Sequence, residues 1–218
     1  MFLEKTAFLI TVSHPIMHVC VDAISTRSVE HVRTALWRQV SFYSARGFIV
    51  RRLFTDGEGA IAALRTEIEG VVKIAVNLSG AGSHVPLVEV KIRQVKERVR
   101  GILNVLPHSL PHSLLSHLVY YCVAIINLVP TTVLEEYVSP REIVEGLRID
   151  AKRDLGLEFG QYVEVHEQRQ STNGMEPRTR GAIALLPTGN RQGTWALLAF
   201  DTGGFINRDH WTTMPAGP

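Results

Sequence analysis

A chain of 218 residues with 45% hydrophobic and 20% charged side chains has the length for one globular core and a small additional module. A net charge of only +2 excludes the strongly basic proteins whose total charge alone indicates nucleic-acid binding, so the distribution of charge is more informative. Two distant cysteines, Cys20 and Cys122, exclude a zinc site of the Cys-x-x-Cys type.

The first half of the chain alternates short apolar runs with segments of helical periodicity. Four strands are predicted from the apolar runs: 7–13, 18–24, 48–54 and 71–78. Four helices are predicted where apolar residues recur at helical spacing: 28–47, 60–68, 86–103 and 112–128. Ser28 is the candidate N-cap of the first helix and Gly47 its candidate stop. A hairpin combined with helical crossovers predicts an α/β domain with a mixed sheet.

The pattern of apolar residues changes after about residue 135. Short apolar runs separated by Gly, Asn and Pro predict a small β-rich module with strands at 162–165, 182–186, 195–200 and 205–206. The predicted parts are a core at 1–135, a linker at 136–160 and the β-rich module at 161–218. The most apolar stretch, 114–129, is too short and too polar to predict a membrane span.

Two carboxylates occupy positions suited to metal chemistry. Asp56 ends an apolar run and is followed by Gly57, while Glu89 lies in the first turn of the helix predicted from Pro86. Strand ends and helix starts hold side chains rigidly, and the helix macrodipole favours an acid at Glu89. Carboxylates held in this way can bind the metal ions that activate a nucleophile against a phosphodiester.

The helix of Glu89 also carries a row of positive charge. Arg93, Lys96 and Arg100 follow Glu89 at spacings of four, seven and eleven, which places all four on one stripe opposite the apolar face. Such a row suits a phosphate backbone. The alternative is a solvated helix face in which Glu89 and Arg93 form an (i, i+4) ion pair.

Several motifs in order resemble one family. They are Thr55-Asp56-Gly57-Glu58-Gly59-Ala60-Ile61, the run His84-Val85-Pro86-Leu87-Val88-Glu89 with its basic continuation to Arg100, Cys122-Val123-Ala124-Ile125-Ile126-Asn127-Leu128-Val129-Pro130, and Ser139-Pro140-Arg141-Glu142. These segments resemble the integrase region of copia-type LTR retrotransposon polyproteins. The resemblance covers nearly the whole chain and implies an RNase H-like, retroviral integrase-like core from the N-terminus to about residue 140. Residues 178–190 and Trp211 resemble the small β-rich module that follows this core.

The resemblance implies a role for each matching residue. Asp56 becomes the second metal-binding acid of an Asp-Asp-Glu site and Glu89 the third, with Mg²⁺ or Mn²⁺ as the metal. Arg93 and Lys96 take the positions where the helix of the family meets DNA, and Arg100, on the same stripe, is the third residue expected to hold phosphates. His84, just before this helix, is a further candidate for positioning DNA or metal.

One departure from the family pattern concerns the first acid. In the family it lies on the first strand, which here would end near Met1, so the acid is expected just upstream and the core is expected to lack its first strand. Glu4 and Asp22 are the substitutes that the sequence offers. With two acids, weak metal binding is expected.

The implied function is retrotransposon integration, that is, metal-dependent strand transfer of element DNA into target DNA, with weak or no activity from the chain as given. The implied partners are DNA and further copies of the chain, without a membrane or a small-molecule substrate, and the implied location is the nucleus. One alternative is a non-catalytic DNA-binding or dimerising remnant of the same fold. Another is an unrelated α/β enzyme with structural acids, for which the Asp56 and Glu89 carboxylates would lie more than ~8 Å apart.

Overall fold

A computed structural model describes residues 1–3, 6–56, 59–79, 86–131, 137–166, 175 and 178–214. The chain divides into two compact units. Unit 1 comprises Met1–Arg98 and Ile126–Gly146, and unit 2 comprises Val99–Ile125 and Leu147–Pro218. The domain limits at 135 and 160 stay predictions from the sequence.

The strands of unit 1 form two sheets within the described residues. The strands are β1 (Phe2–Leu3), β2 (Thr6–Val12), β3 (Val19–Ile24), β4 (Arg52–Asp56) and β5 (Ala75–Ser79). Strands β1, β2 and β3 form an antiparallel sheet in that order, while β4 and β5 pair in parallel. Both pairing types of the predicted mixed sheet are therefore present, but they lie in two separate sheets.

The helices agree closely with the predicted ones. They are α1 (Val29–Ser44), α2 (Gly59–Glu67), α3 (Pro86–Val105), α4 (Leu115–Leu128), α5 (Pro140–Glu145) and α6 (Ala151–Asp154), with a π-helical turn at Ile68–Val72 and a 3₁₀ turn at His112–Leu114. Ser28 caps α1 as predicted, because its hydroxyl accepts a hydrogen bond from the His31 N–H at 3.4 Å.

Two predicted strands begin later than the sequence indicated. The strand predicted from Phe48 begins at Arg52, because the Phe48 N–H is bonded to the Tyr43 carbonyl at the end of α1. The strand predicted from residue 71 begins at Ala75. The π-helical turn takes up the preceding residues, and the buried Ile68 accepts a hydrogen bond from Ile74 N–H through its carbonyl.

The core of unit 1 lies between the strands and the helices α1 and α2. Alternate residues of β2 face this core, as do Leu53 and Val76 of β4 and β5. Its buried members are Ala7, Leu9, Ile24, Val32, Ala35, Leu36, Ile61, Leu64, Ile68, Ile74 and Val76. Because side chains alternate along a strand, the neighbours of these strand residues lie on the opposite sheet face.

Unit 2 contains an antiparallel sheet of five strands among the residues described. The strand order is β10-β6-β7-β8-β9, with β6 (Tyr162–His166), β7 (Thr179–Pro187), β8 (Trp195–Ala199), β9 (Phe205–Arg208) and β10 (Trp211–Thr213). This sheet confirms the predicted β-rich region, although β10 was not predicted. Trp195, fully buried, packs in its core and donates its indole N–H to the Arg153 carbonyl at 3.0 Å.

Among the helices described, none has the length and apolar character that crossing a bilayer requires.

Candidate functional site

Asp56 is the last residue of β4, and its side chain is exposed. Leu53 and Thr55 turn toward the core, and Thr55 is only 6% exposed. Strand alternation therefore directs Asp56 and Phe54, which is 53% exposed, to the opposite face. The sheet thus holds this carboxylate in solvent rather than in the core.

Glu89 lies in the first turn of α3 and is also exposed. Asp56 and Glu89 both line one cavity of about 1310 Å³ in unit 1. Residues 7–13, residues 48–56 and the start of α3 form much of its wall. The structure therefore brings the two predicted acids to the same cavity from two different elements.

The two faces of α3 differ as the sequence predicts. Val95 and Val99 are fully buried, whereas Arg93 is exposed and Lys96 is half-buried. Arg100 is exposed on the part of α3 that belongs to unit 2. Within unit 1, Arg93 and Lys96 therefore lie on the same stripe of α3 as Glu89, with Arg93 the more exposed of the two.

Sequence reasoning missed Lys91, which is buried on α3. Burial, together with the positive charge of Arg98, lowers the pKa of its ammonium group. Lys91 lies between Val88 and Val95 on the side of the helix that faces the protein, and this spacing was the signal available in the sequence.

Asp22, one of the two substitutes for the first acid, is engaged elsewhere. Its carboxylate accepts hydrogen bonds from Arg38 Nη1 at 2.6 Å and from Gln39 Nε2 at 2.9 Å. Asp22 pairs in register with Leu9, so its side chain points to the core face rather than to the face of Asp56. Asp22 is therefore a structural acid. Glu4, the other substitute, and His84 lie outside the described residues.

A second polar cluster lies in the interior of unit 1. The side chain of Asn127 accepts a hydrogen bond from Val19 N–H at 2.8 Å and donates to the Val19 carbonyl at 2.9 Å. Its remaining N–H points to His18 Nε2 at 3.3 Å, and His18 Nδ1 lies 3.1 Å from the Tyr43 hydroxyl. The asparagine of the Ile-Ile-Asn-Leu segment thus ties the end of α4 to β3.

Burial controls titration in this cluster. It lowers the pKa of His18 to about 4, with a further contribution from the positive charge of Arg46. Burial likewise raises the pKa of the Cys20 thiol to about 11 and that of the Tyr43 hydroxyl. All three groups are therefore neutral near pH 7, as a structural cluster in a low-dielectric interior requires.

The Ser-Pro-Arg-Glu segment forms a capping box at the start of α5. The Ser139 hydroxyl accepts from Glu142 N–H at 3.1 Å, and the Glu142 carboxylate accepts from Ser139 N–H at 3.0 Å. Arg141, 6% exposed, forms an ion pair with Glu145 at 3.1 Å. These residues stabilise a helix start.

The carboxylates of Asp56 and Glu89 fit a divalent metal in the type of donor, since Mg²⁺ and Mn²⁺ prefer oxygen ligands. The number of donors falls short: no three His, Cys, Asp or Glu side chains gather into a metal-binding group in the described part of the chain. No reaction step through a metal follows from these residues alone.

The catalytic core domain of BIV integrase has a similar structure, with a TM-score of 0.51 and 15% sequence identity. The match covers 67% of this chain and 90% of that one. This chain has an RNase H-like fold of the integrase-core type. The integrase-like fold predicted from the sequence is therefore confirmed.

The HTLV-2 integrase catalytic core domain, in complex with magnesium and in a trimeric form, gives a TM-score of 0.49 at 16% identity. That match covers 64% of this chain and 84% of the other. No protein-family model matches the chain, and no curated protein matches it.

Proposed function

We propose that the chain is the integrase-core-like domain of a copia-type retrotransposon and that it binds DNA along the first turns of α3. In this proposal Asp56 and Glu89 hold a divalent metal, Mg²⁺ or Mn²⁺, beside the bound phosphate backbone. The integrase-like fold and the ordered copia-type motifs support the family assignment. Assembly into a homo-oligomer and a nuclear location belong to the same proposal.

One observation carries this proposal. Asp56 from β4 and Glu89 from α3 line the same cavity, and Arg93 follows Glu89 one turn along the helix on the exposed side. Positive side chains attract phosphates, whereas two exposed carboxylates repel them. Asp56 and Glu89 would hold a divalent cation whose charge would offset this repulsion, so the arrangement favours metal-assisted DNA binding.

Electrostatic binding of DNA by Arg93 and Lys96 can be tested with matched variants. Arg93→Gln and Lys96→Gln are each expected to weaken binding to a short duplex by a similar factor for all sequences. Each is expected to reduce the slope of log affinity against log salt by about 1. The control is Arg33→Gln, because Arg33 lies on α1 rather than on α3 and pairs with Glu67. Equal losses in all three variants would contradict a DNA-binding surface on α3.

Strand transfer is expected to be weak or undetectable for the chain alone, because two carboxylates fall short of the set that two-metal chemistry needs. The test incubates the purified chain with labelled element-end DNA and Mn²⁺. Strong joining that Asp56→Asn abolishes would contradict this expectation and would establish an active enzyme.

A second candidate function is a non-catalytic DNA-binding or dimerising remnant of the same fold. The donor set favours it, since Asp56 and Glu89 are the only predicted acids that the described residues bring to the cavity. This candidate predicts salt-sensitive binding that is identical with Mg²⁺ and with a chelator. An affinity that rises with Mg²⁺ favours the first candidate instead.

A further inference from the structure

The antiparallel sheet of unit 2 has a packed face and an outer face. Val163 and Val165 of β6 lie in the core of this unit. Tyr162 and Glu164 are therefore directed to the outer face, because successive side chains of a strand point to opposite sides. Such an outer face is commonly polar, but here it carries the ring of Tyr162, which is 40% exposed.

Three neighbouring positions form one row across this outer face. Glu164 pairs with Gly181 of β7, and Phe200, directly after β8, donates its N–H to the Gly181 carbonyl at 3.0 Å. Ala199 pairs with Ala182, so Phe200 continues the register opposite Gly181, and it is 57% exposed. Because Gly181 has no side chain, the row has a carboxylate on one side of a gap and an aromatic ring on the other.

The ring of Tyr162 occupies the space above Gly181. A Cβ atom on Gly181 would lie 2.7 Å from the Tyr162 hydroxyl oxygen and 3.0 Å from a carbon of its ring. Gly181 does not have a positive φ, so glycine is required here for space rather than for backbone conformation. The Tyr162 hydroxyl also donates a hydrogen bond to the Glu164 carboxylate. Strand pairing and this hydrogen bond therefore hold the ring and the carboxylate together.

The rings of Tyr162 and Phe200 form a near-parallel pair. Their centroids are 5.8 Å apart, and their planes make an angle of 27°. The faces of aromatic rings carry a negative electrostatic potential, which attracts cations. Glu164 adds a full negative charge beside the Tyr162 hydroxyl. The ring pair and the carboxylate therefore both attract a positively charged ligand.

The basic residue next to Gly181 does not reverse this preference. Arg180 pairs in register with the buried Val165, so its side chain is directed to the packed side of the sheet. Its guanidinium forms an ion pair with Asp201 at 3.4 Å, which compensates its charge. A nucleic acid also stacks on exposed rings, but Glu164 repels its phosphates. The cluster therefore suits a cation better than a nucleic acid.

We propose that Tyr162, Phe200 and Glu164 form a binding site for an arginine side chain of a basic peptide segment. The planar guanidinium stacks on the ring pair and donates hydrogen bonds to the Glu164 carboxylate. A carboxylate has about four acceptor positions, so the hydrogen bond from Tyr162 leaves capacity for the guanidinium. The site lies wholly within unit 2 and is independent of DNA binding by α3.

The first test compares two ligands on the native 218-residue chain. One is a short capped peptide with a single arginine among glycine and serine residues. The other is the same peptide with citrulline, which keeps the planar group but has no charge. The arginine peptide should shift the amide NMR signals of Gly181 and Phe200 in a saturable manner. The citrulline peptide should bind at least about threefold more weakly, because it lacks the cation.

The second test uses matched variants with the arginine peptide. Phe200→Leu and Glu164→Gln should each weaken binding at least about threefold, because one removes a ring face and the other a charge. Phe205→Leu is the control. Phe205 is also an exposed aromatic residue, but it lies on β9, which β7 and β8 separate from β6, and it stacks on His117 instead. This control should leave the affinity for the peptide unchanged.

Three results would overturn the proposal. The first is equal binding of the arginine and citrulline peptides by the native chain, a comparison that needs no folded variant. The second is an equal loss of affinity in Phe200→Leu and Phe205→Leu. The third is a short single strand of DNA that shifts the same two amide signals at lower concentration than the peptide and loses this effect in Phe200→Leu. That result would assign the ring pair to nucleic acid.

Discussion

Unit 1 contains two groups of polar side chains that differ in almost every physical respect. Asn127 and His18 are 6% and 4% exposed and are joined to each other and to the Val19 backbone by hydrogen bonds. Asp56 and Glu89 are exposed and line a cavity. The buried group stabilises the fold, whereas the carboxylates are exposed to solvent and make no comparable contribution to the core.

This difference in burial distinguishes residues that the sequence motifs do not distinguish. Asp56, Glu89, Asn127 and the Ser139 segment all belong to the set of motifs from which an integrase-like core was predicted. In the structure, Asn127 and Ser139 satisfy buried backbone groups and a helix start, so they report on the fold. Asp56, Glu89 and the basic residues of α3 are therefore the residues on which the proposed function rests.

The largest effect is expected from Asn127→Ala. This change leaves the N–H and C=O of Val19 without their partner in a buried site, at a cost of about 1–3 kcal/mol for each group. The free energy of unfolding, measured in urea, should fall by roughly 3 kcal/mol. Asn104→Ala, at an exposed position of α3, is the matched control and should change stability little. Equal losses in both variants would contradict the assigned role of Asn127.

A slightly smaller fall in the free energy of unfolding is expected when the pH is lowered, because His18 is buried. The unfolded histidine takes up a proton below about pH 6.5, but the buried one does so only below about pH 4. The contribution of neutral His18 to the free energy of unfolding is therefore complete above pH 6.5. It is lost as the pH falls from 6.5 to 4. At about 1.4 kcal/mol per pH unit, the loss between pH 6.5 and pH 4.5 amounts to at most about 3 kcal/mol.

The same hydrogen bonds give this pH dependence a structural cause. Val19 fixes the orientation of the Asn127 amide, so its N–H faces Nε2 of His18, and a protonated Nε2 would place two donors together. Urea unfolding between pH 7.5 and 4.5 should show the loss in the native chain and in the exposed control His14→Gln. His18→Gln should lose this dependence, and an unaltered pH profile in that variant would contradict the account.

The smallest expected change in stability comes from making the same substitution, aspartate to asparagine, at two strand positions. Asp22→Asn weakens a buried carboxylate bonded to Arg38 and Gln39 and should cost about 1–3 kcal/mol. Asp56→Asn alters an exposed side chain and should change stability by less than about 0.5 kcal/mol. Parallel urea titrations measure both values. A reversed order would mean that Asp56 is a structural acid.

The helices and the general fold follow from the sequence because they depend on local patterns. Apolar residues at helical spacing predicted α1, α3 and α4 to within a few residues, and Ser28 was identified as a cap. Strand limits were less accurate. The start of β4 depends on Phe48 N–H closing the end of α1, which is a bond that no apolar pattern reveals.

Contacts between segments that are far apart in the chain could not be predicted from the sequence. Asn127 and Val19 are 108 positions apart, and the Asp22 pair with Arg38 requires a strand and a helix to be packed first. The division of the predicted mixed sheet is likewise a tertiary feature. The roles of Asp56, Glu89 and Arg93 stay predictions, supported by their placement around one cavity and one helix face.

The central proposal is that Asp56 and Glu89 face bound DNA and would hold a divalent metal beside it. The most direct test measures the affinity for a short duplex with a chelator and with Mg²⁺, for the native chain and for Asp56→Asn combined with Glu89→Gln. The native chain should bind more tightly with Mg²⁺, whereas the double variant should bind more tightly than the native chain in chelator and gain nothing from Mg²⁺. Identical responses of the two proteins to Mg²⁺ would contradict the claim.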